Sequence, residues 1–147
     1  QTINAVFAVP MTTITDLMAR ARAVEGLLAH ASIEQLIAAN KRLANLLSKV
    51  EADLPDTVDT NLLEEKEERS LYEAWEVQQA EVSIMVEQGN YDDALAQLAQ
   101  LAAPLDAYFE QVMVMVDDEA TRLNRLCLLN QMRQRFLRIA DLAQLGR

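Results

Sequence analysis

The chain has 147 residues, of which 51% are hydrophobic, and it carries a formal net charge of −10 at pH 7. This length and apolar content exclude a disordered chain and allow one domain to bury a sizeable core without a disulfide or a metal. One cysteine and one histidine exclude a zinc site built from several such ligands, and no apolar run is long enough to span a membrane.

The charge is unevenly distributed along the chain. Residues 1–50 carry a net charge of +2, residues 51–119 carry −17, and residues 120–147 carry +5. We therefore expect a dipolar molecule with an acidic middle. A nucleic-acid partner would have to meet one face of it only.

Helical periodicity predicts an all-α bundle of about five to six helices. The predicted helices share an apolar face with three- and four-residue spacing and lie at about 14–28, 33–49, 63–88, 90–102, 105–112 and 118–142. Ser32 begins a capping-box pattern, residues 53–61 have the composition of a loop, and Gly89 is placed to end the longest helix. The VMVMV segment (112–116) has no strand to pair with, which predicts an extended buried connector or a helix end.

Three arginines of the last predicted helix lie among its apolar side chains. On a helical wheel, Arg122, Arg125 and Arg133 fall inside the apolar half. A charge there must be paired or must lie beyond the core. The first two therefore either pair with the acidic residues 117–119 or overhang a groove where they meet phosphates or bases. For Arg133 we expect a buried ion pair.

Two further groups of basic residues lie on faces that are predicted to be exposed. Arg135 and Arg138 are on the polar side of the last helix, where they either face solvent or contact phosphates. On the helix after Ser32, Lys41 and Asn45 share one stripe with Arg42 at its edge. Such a stripe is typical of any solvated helix and by itself indicates RNA binding only weakly.

Three stretches of the sequence resemble the C-terminal region of the β subunit of bacterial tetrameric glycyl-tRNA synthetases. The first comprises QTINAVFAV (Gln1–Val9) and ARARAVEGLL (Ala19–Leu28), and the second is ANKRLANLL (Ala39–Leu47). The third runs from Gly89 to Leu142 and contains YDDAL, DAYFEQVMVM, DDEATRLNRLCLL and RFLRIAD in order. The match spans nearly the whole chain and diverges most over residues 50–86.

The chain also resembles, more distantly, the DALR-type anticodon-binding domain of arginyl-tRNA synthetases. The position of the DALR motif reads DEATR (118–122) here. Tyr108 stands where the glycyl family often has Phe, Cys127 where a small or apolar residue is usual, and the ADLAQLGR ending (140–147) departs from the family. None of these departures touches a basic candidate position.

The resemblance implies that residues 1–147 form one anticodon-binding helical domain, a piece of a longer chain. It implies a cytoplasmic enzyme that attaches glycine to its tRNA using ATP and magnesium, both held by the α subunit. This part would then be non-catalytic, would hold no cofactor or metal, and would work in a tetramer with the α subunit and the rest of the β subunit. Its RNA partner would be glycine tRNA, whose anticodon ends in two cytosines.

Unpaired loop bases are recognised by stacking on aromatic or guanidinium planes and by hydrogen bonds to their edges. The candidate tRNA-binding positions are Arg122, Asn124, Arg125, Lys41, Arg42, Asn45 and Arg138. Two alternatives remain open. One is the equivalent domain of an arginyl-tRNA synthetase, although the usual closing signature of that tail is not found. The other is an acidic helical module that binds another protein subunit.

Overall fold

The computed structural model describes residues 2–7, 13–29 and 33–145. Over these ranges the chain forms seven α-helices, two short 3₁₀ turns and no strand, so the predicted all-α class is confirmed. The helices are α1 (Thr2–Phe7), α2 (Ile14–Leu28), α3 (Ile33–Leu47), α4 (Lys66–Glu87), α5 (Tyr91–Ala99), α6 (Ala102–Gln111) and α7 (Glu119–Leu137). The 3₁₀ turns are Thr60–Leu62 and Leu142–Gln144. None of the helices in these ranges combines the length and the apolar character needed to cross a membrane.

The helix absent from the prediction is α1, whose six residues are too few to show a periodic pattern. The predicted capping box at Ser32 lies outside the described residues. The long helix begins at Lys66 because the side chain of Glu68 folds back to accept hydrogen bonds from the main-chain N–H groups of Glu64 and Glu65.

Gly89 ends α4 as predicted. It has a φ of +73°, and its N–H donates to the carbonyl of Val86 while the next N–H, of Asn90, donates to Met85. These two bonds form the Schellman arrangement, which favours glycine because an L side chain rarely adopts that φ. The chain then turns directly into α5.

The helices pack around one core. The α4 helix contacts α5, α6 and α7. The α3 helix packs against α6, α7 and the 3₁₀ turn at Leu142–Gln144. The largest fully buried side chains, Trp75, Tyr108 and Phe136, come from α4, α6 and α7. Burying each of them stabilises the fold by roughly 1.5–3 kcal/mol.

The α7 helix ends five residues earlier than predicted, at Leu137. The chain then turns back so that Leu142 and Leu145 enter the core. The N–H of Asp141 donates to the carbonyl of Ala5 at 2.8 Å, which ties α1 to this C-terminal segment. The aliphatic residues after α7 are therefore used for packing and not for another helical turn.

The VMVMV segment is a connector, as one of the two expectations had it, and not the end of a helix. It is extended at Val112 and bends at Val114 and Met115, where the N–H of Val116 donates to the carbonyl of Val114 at 3.0 Å. Val112 and Val114 are buried, whereas Met113 and Met115 are exposed, so only part of this apolar segment enters the core.

Candidate nucleic-acid interface

The first turn of α7 is held by its N-cap, Asp118. Its carboxylate accepts a hydrogen bond from the N–H of Thr121 at 2.9 Å. Hydrogen bonding from the side chain of Thr121, then this main-chain bond and the nearby charge of Arg122, hold the pKa of Asp118 below its ordinary value. The acid of the DEATR motif therefore acts as a helix cap.

Arg122 lies at the edge of the molecule and is half-buried. Its Nη1 donates to the main-chain carbonyls of Val116 and Asp117, at 2.9 and 3.3 Å. The guanidinium is thus anchored to the connector by backbone oxygens, and the expected carboxylate pairs with residues 117–119 do not form. Because the residue is only half-buried, part of it stays accessible to solvent.

Arg125 is buried, with 4% of its surface exposed. Its Nε donates to Oε2 of Glu68 at 2.9 Å, and its Nη1 donates to the carbonyl of Met113 at 2.7 Å. Burial lowers the pKa of Arg125, but the hydrogen bonds and charge of Glu68 outweigh burial and raise that pKa above its ordinary value. The partner acid is therefore Glu68, 57 residues away, because packing α4 against α7 brings the two together.

Asn124 is also buried, and its amide is fully engaged. Its Oδ1 accepts from the N–H of Asp59 at 2.7 Å, and its Nδ2 donates to the carbonyl of the same residue at 3.0 Å. The side-chain amide thereby bonds both main-chain groups of Asp59, as the backbone of a neighbouring strand would. These two bonds hold the loop before α4 against α7.

The same loop is held by two more side chains on one stripe of α7. The thiol of Cys127 donates to the carbonyl of Pro55 at 3.1 Å, and Gln131 donates to the carbonyl of Asp56 at 3.0 Å. Burial, and then the charge of Asp56, raise the pKa of the Cys127 thiol. Cys127 is a buried small side chain, and the described residues contain no cluster of metal-ligating side chains.

The candidate residues on α3 lie at the surface. The guanidinium carbon of exposed Arg42 is 4.4 Å from the ring centroid of Phe109, which is itself only partly buried. Asn45 is exposed one turn further on, and Lys41 is half-buried beside Arg42. An arginine stacked on an aromatic ring at the surface presents a flat cationic plane, the kind of platform on which a base can stack.

Arg138 lies at the opposite end of α7 from Arg122. Its Nη1 donates to the hydroxyl of Ser83 at 3.4 Å, and half-buried Arg135 donates to the same hydroxyl at 3.0 Å. Arg133, by contrast, points inward and pairs with Asp141 at 2.7 Å, which confirms the predicted buried ion pair. The seven candidate positions are therefore divided between a buried pair on α7, three positions on α3, Arg122 at the start of α7, and Arg138 at its C-terminal end.

The sequence did not indicate that Trp75 and Gln131 would meet beside Arg135. Trp75 is in the core, where its Nε1 donates to Oε1 of Gln131 at 3.1 Å and its ring lies beneath the guanidinium of Arg135. The polar stripe of α7, here Asn130, Gln131, Gln134, Arg135 and Arg138, follows from the helical spacing of these residues in the sequence. The position of this stripe against α4 does not follow from the sequence.

A family model of the DALR anticodon binding domain matches residues 36–143. The chain belongs to this family. The matched part of the DALR domain includes all seven candidate positions.

The DALR domain is also similar to curated bacterial proteins, each named glycine–tRNA ligase beta subunit. It is 45% identical over 143 residues to that of Vibrio cholerae serotype O1 (strain M66-2), covering 97% of this chain and 21% of the relative. It is 43% identical over 141 residues to that of Photobacterium profundum, covering 96% of this chain and 20% of the relative. The resemblance seen in the sequence is confirmed, and the chain spans about a fifth of the length of these relatives.

Proposed function

We propose that the chain binds the anticodon loop of glycine tRNA as the C-terminal domain of a glycine–tRNA ligase β subunit. The observation that supports this proposal is the 45% identity to such subunits over 143 of the 147 residues, together with the DALR family match. In this role the chain presents the tRNA, and the chemistry takes place elsewhere. The α subunit would hold ATP and magnesium, and the assembly would work in the cytoplasm.

The proposal assigns different roles to the candidate residues. Arg42 and Asn45, with Lys41 beside them, face the RNA from α3, and Arg122 faces it from the start of α7. Their positive charge is concentrated in a chain whose net charge is −10, so RNA is attracted to these positions and repelled from the acidic middle. Asn124 and Arg125, which are buried, position the loop and the connector behind them.

The test is binding of the chain to a hairpin RNA that carries the glycine anticodon loop, compared with the same hairpin after both anticodon cytosines are replaced. We expect the replacements to weaken binding by roughly tenfold or more. Affinity for the intact hairpin should also fall steeply as salt rises, because bound phosphates release counterions.

Single variants identify the contacting residues. Arg42→Gln and Arg122→Gln should each weaken binding roughly five- to tenfold. Arg69→Gln serves as the control matched to Arg42→Gln, since it also removes an exposed charge, here from α4. Equal binding to both hairpins would contradict anticodon recognition. Salt-insensitive binding to a protein subunit, with no affinity for RNA, would favour the interaction-module alternative.

A further inference from the structure

A groove lies between α4, α7 and the loop that α7 holds in place. It encloses about 550 Å³ and is bordered by Trp75 and Gln79 of α4, by Pro55 and Asp56 of the loop, and by the polar stripe of α7. This volume is within the range of sites that bind small organic groups, roughly 300–1,000 Å³. None of the seven candidate positions except Arg138 borders it.

The polar side of the groove is formed by Asn130, Gln134 and Arg138, which follow one another at four-residue spacing along α7. Residues at this spacing lie on one face and here extend over about 12 Å. Gln134 donates to Oδ1 of Asn130 at 3.4 Å. Among the described residues, Nδ2 of Asn130 and Oε1 of Gln134 have no hydrogen-bond partner, so the groove offers an unbonded NH₂ group and an unbonded carbonyl oxygen. The edges of nucleobases carry both kinds of group.

Two arginines, Arg135 and Arg138, form the charged rim of the groove. In the described part of the chain they lack the carboxylate partners that other arginines have. Arg20, Arg125 and Arg133 are buried, and each pairs with a carboxylate. Arg135 and Arg138 lie side by side on the hydroxyl of Ser83, and no carboxylate in the described part of the chain is within ion-pair distance of either.

The electrostatic environment of Arg135 reflects this arrangement. Burial lowers the pKa of its guanidinium, the neighbouring charge of Arg138 lowers it further, and Glu87 offsets only part of the effect. Two adjacent cations that are incompletely neutralised favour an anionic ligand. A phosphate group fits this requirement because each arginine can donate more than one hydrogen bond to it.

A second cavity continues the groove beyond the arginine. It encloses about 500 Å³, shares Gln134 and Arg138 with the first cavity, and reaches Tyr91 and Arg20 on its far side. Two acids line this cavity: Asp16 is already bound by Arg20 and by the hydroxyl of Tyr91, and Glu87 is exposed at its edge. Arg138 therefore borders both cavities, as a phosphate group lies between two successive bases of a nucleic-acid strand.

We propose that this groove binds two successive unpaired nucleotides of an RNA strand, with Arg138 and Arg135 on the phosphate between them and Asn130 and Gln134 on a base edge. The inference rests on the proposed function, because it supplies the binding site for the unpaired loop. It places the base-reading surface on the C-terminal half of α7, about 24 Å along the helix from Arg122.

Trp75 provides a direct reporter of this groove, since it is the only tryptophan in the sequence. We would titrate the chain with the hairpin RNA while recording Trp75 emission, and measure the affinity independently from the anisotropy of a labelled hairpin. The emission should change saturably with the same dissociation constant. A fully paired duplex of the same composition should leave the emission unchanged.

The variants are chosen so that they do not touch the reporter. Arg138→Gln and Gln134→Ala replace exposed side chains outside the contact with the Trp75 ring, and each should weaken hairpin binding roughly five- to tenfold. Arg69→Gln is the matched control. It lies on α4 about 20 Å from Ser83 and should leave both signals unchanged.

The outcomes separate the two proposals. Hairpin binding with unchanged Trp75 emission and unaffected Arg138 and Gln134 variants would overturn the groove site and leave anticodon binding standing. Absence of any hairpin binding would overturn both. If cytidine monophosphate alone changed the Trp75 emission with the affinity of the hairpin, the groove would be a mononucleotide site and the strand proposal would fail.

Discussion

The two halves of α7 contain similar residues and use them differently. In the first half, Asn124 and Arg125 are buried and bonded to Asp59, Glu68 and Met113. In the second half, Arg135 and Arg138 share a single hydroxyl and border a groove. The second half also packs into the core through Phe136 and pairs Arg133 with Asp141, but Arg135 and Arg138 stay beside an open groove.

The loop before α4 creates this difference. It lies over α7 from Asn124 to Gln131 and stops there, so the polar stripe beyond Gln131 is left uncovered. Buried polar groups must be paired, whereas groups at an open groove can exchange water for a ligand. The same residue types therefore stabilise the fold in one half and are free to bind in the other.

The largest expected effect comes from breaking the buried pair. Arg125→Ala should lower the free energy of unfolding by about 3–5 kcal/mol, because Glu68, with 0% of its surface exposed, is left as an uncompensated buried charge. Urea denaturation should show a lower midpoint at an unchanged slope. The control Arg69→Ala removes the exposed arginine that follows Glu68 on α4. It should change the free energy of unfolding by no more than about 0.5 kcal/mol. A loss below about 1 kcal/mol for Arg125→Ala would mean that this half of α7 is not held by the pair.

A smaller loss is expected where the loop meets α7. Asn124→Ala removes both hydrogen bonds to Asp59 and should lower the free energy of unfolding by about 1–3 kcal/mol. Hydrogen exchange at the N–H of Asp59 should become faster, since this N–H donates to Oδ1 of Asn124 and to no other group in the described part of the chain. Unchanged exchange would show that the loop is held by Cys127 and Gln131 without Asn124.

The second half should behave in the opposite way. Arg138→Gln should change the free energy of unfolding by no more than about 0.5 kcal/mol. In the same variant, the dependence of RNA affinity on salt should become shallower by about 0.7 in log–log slope for each phosphate that the protein no longer binds. Unfolding measurements and hairpin titrations over a salt series test both statements. A strongly destabilised Arg138→Gln would remove the contrast between the two halves.

The smallest effect is expected at Tyr108, which lies beneath the buried pair. Its hydroxyl is buried without a hydrogen-bond partner among the described residues, and burial together with the charge of Glu68 raises the pKa of Tyr108, so the phenol stays neutral. Tyr108→Phe should therefore leave the free energy of unfolding within about 0.5 kcal/mol, or raise it slightly. A clear loss in thermal or urea unfolding would reveal a bond made by this hydroxyl.

The outcome at individual residues shows how far the sequence could predict the structure. The wheel placed Arg133 inward, and its partner Asp141 is only eight residues away. It placed Arg125 inward as well, but the acids expected to pair with it were its neighbours at 117–119, and Glu68 takes that place. The residue types required a partner in both cases, yet a partner across the bundle cannot be identified from spacing alone. The tRNA contacts of the seven candidate positions remain predictions.

The sequence by itself determined the helical class, the start of the last helix near Asp118, the stop at Gly89 and the family. Each of these depends on residues within a few turns of one another or on a pattern along the chain. Only the tertiary structure decided which part of the polar stripe of α7 is covered by the loop and which part borders a groove. That choice depends on where a distant segment comes to lie, and packing of the whole chain sets that position.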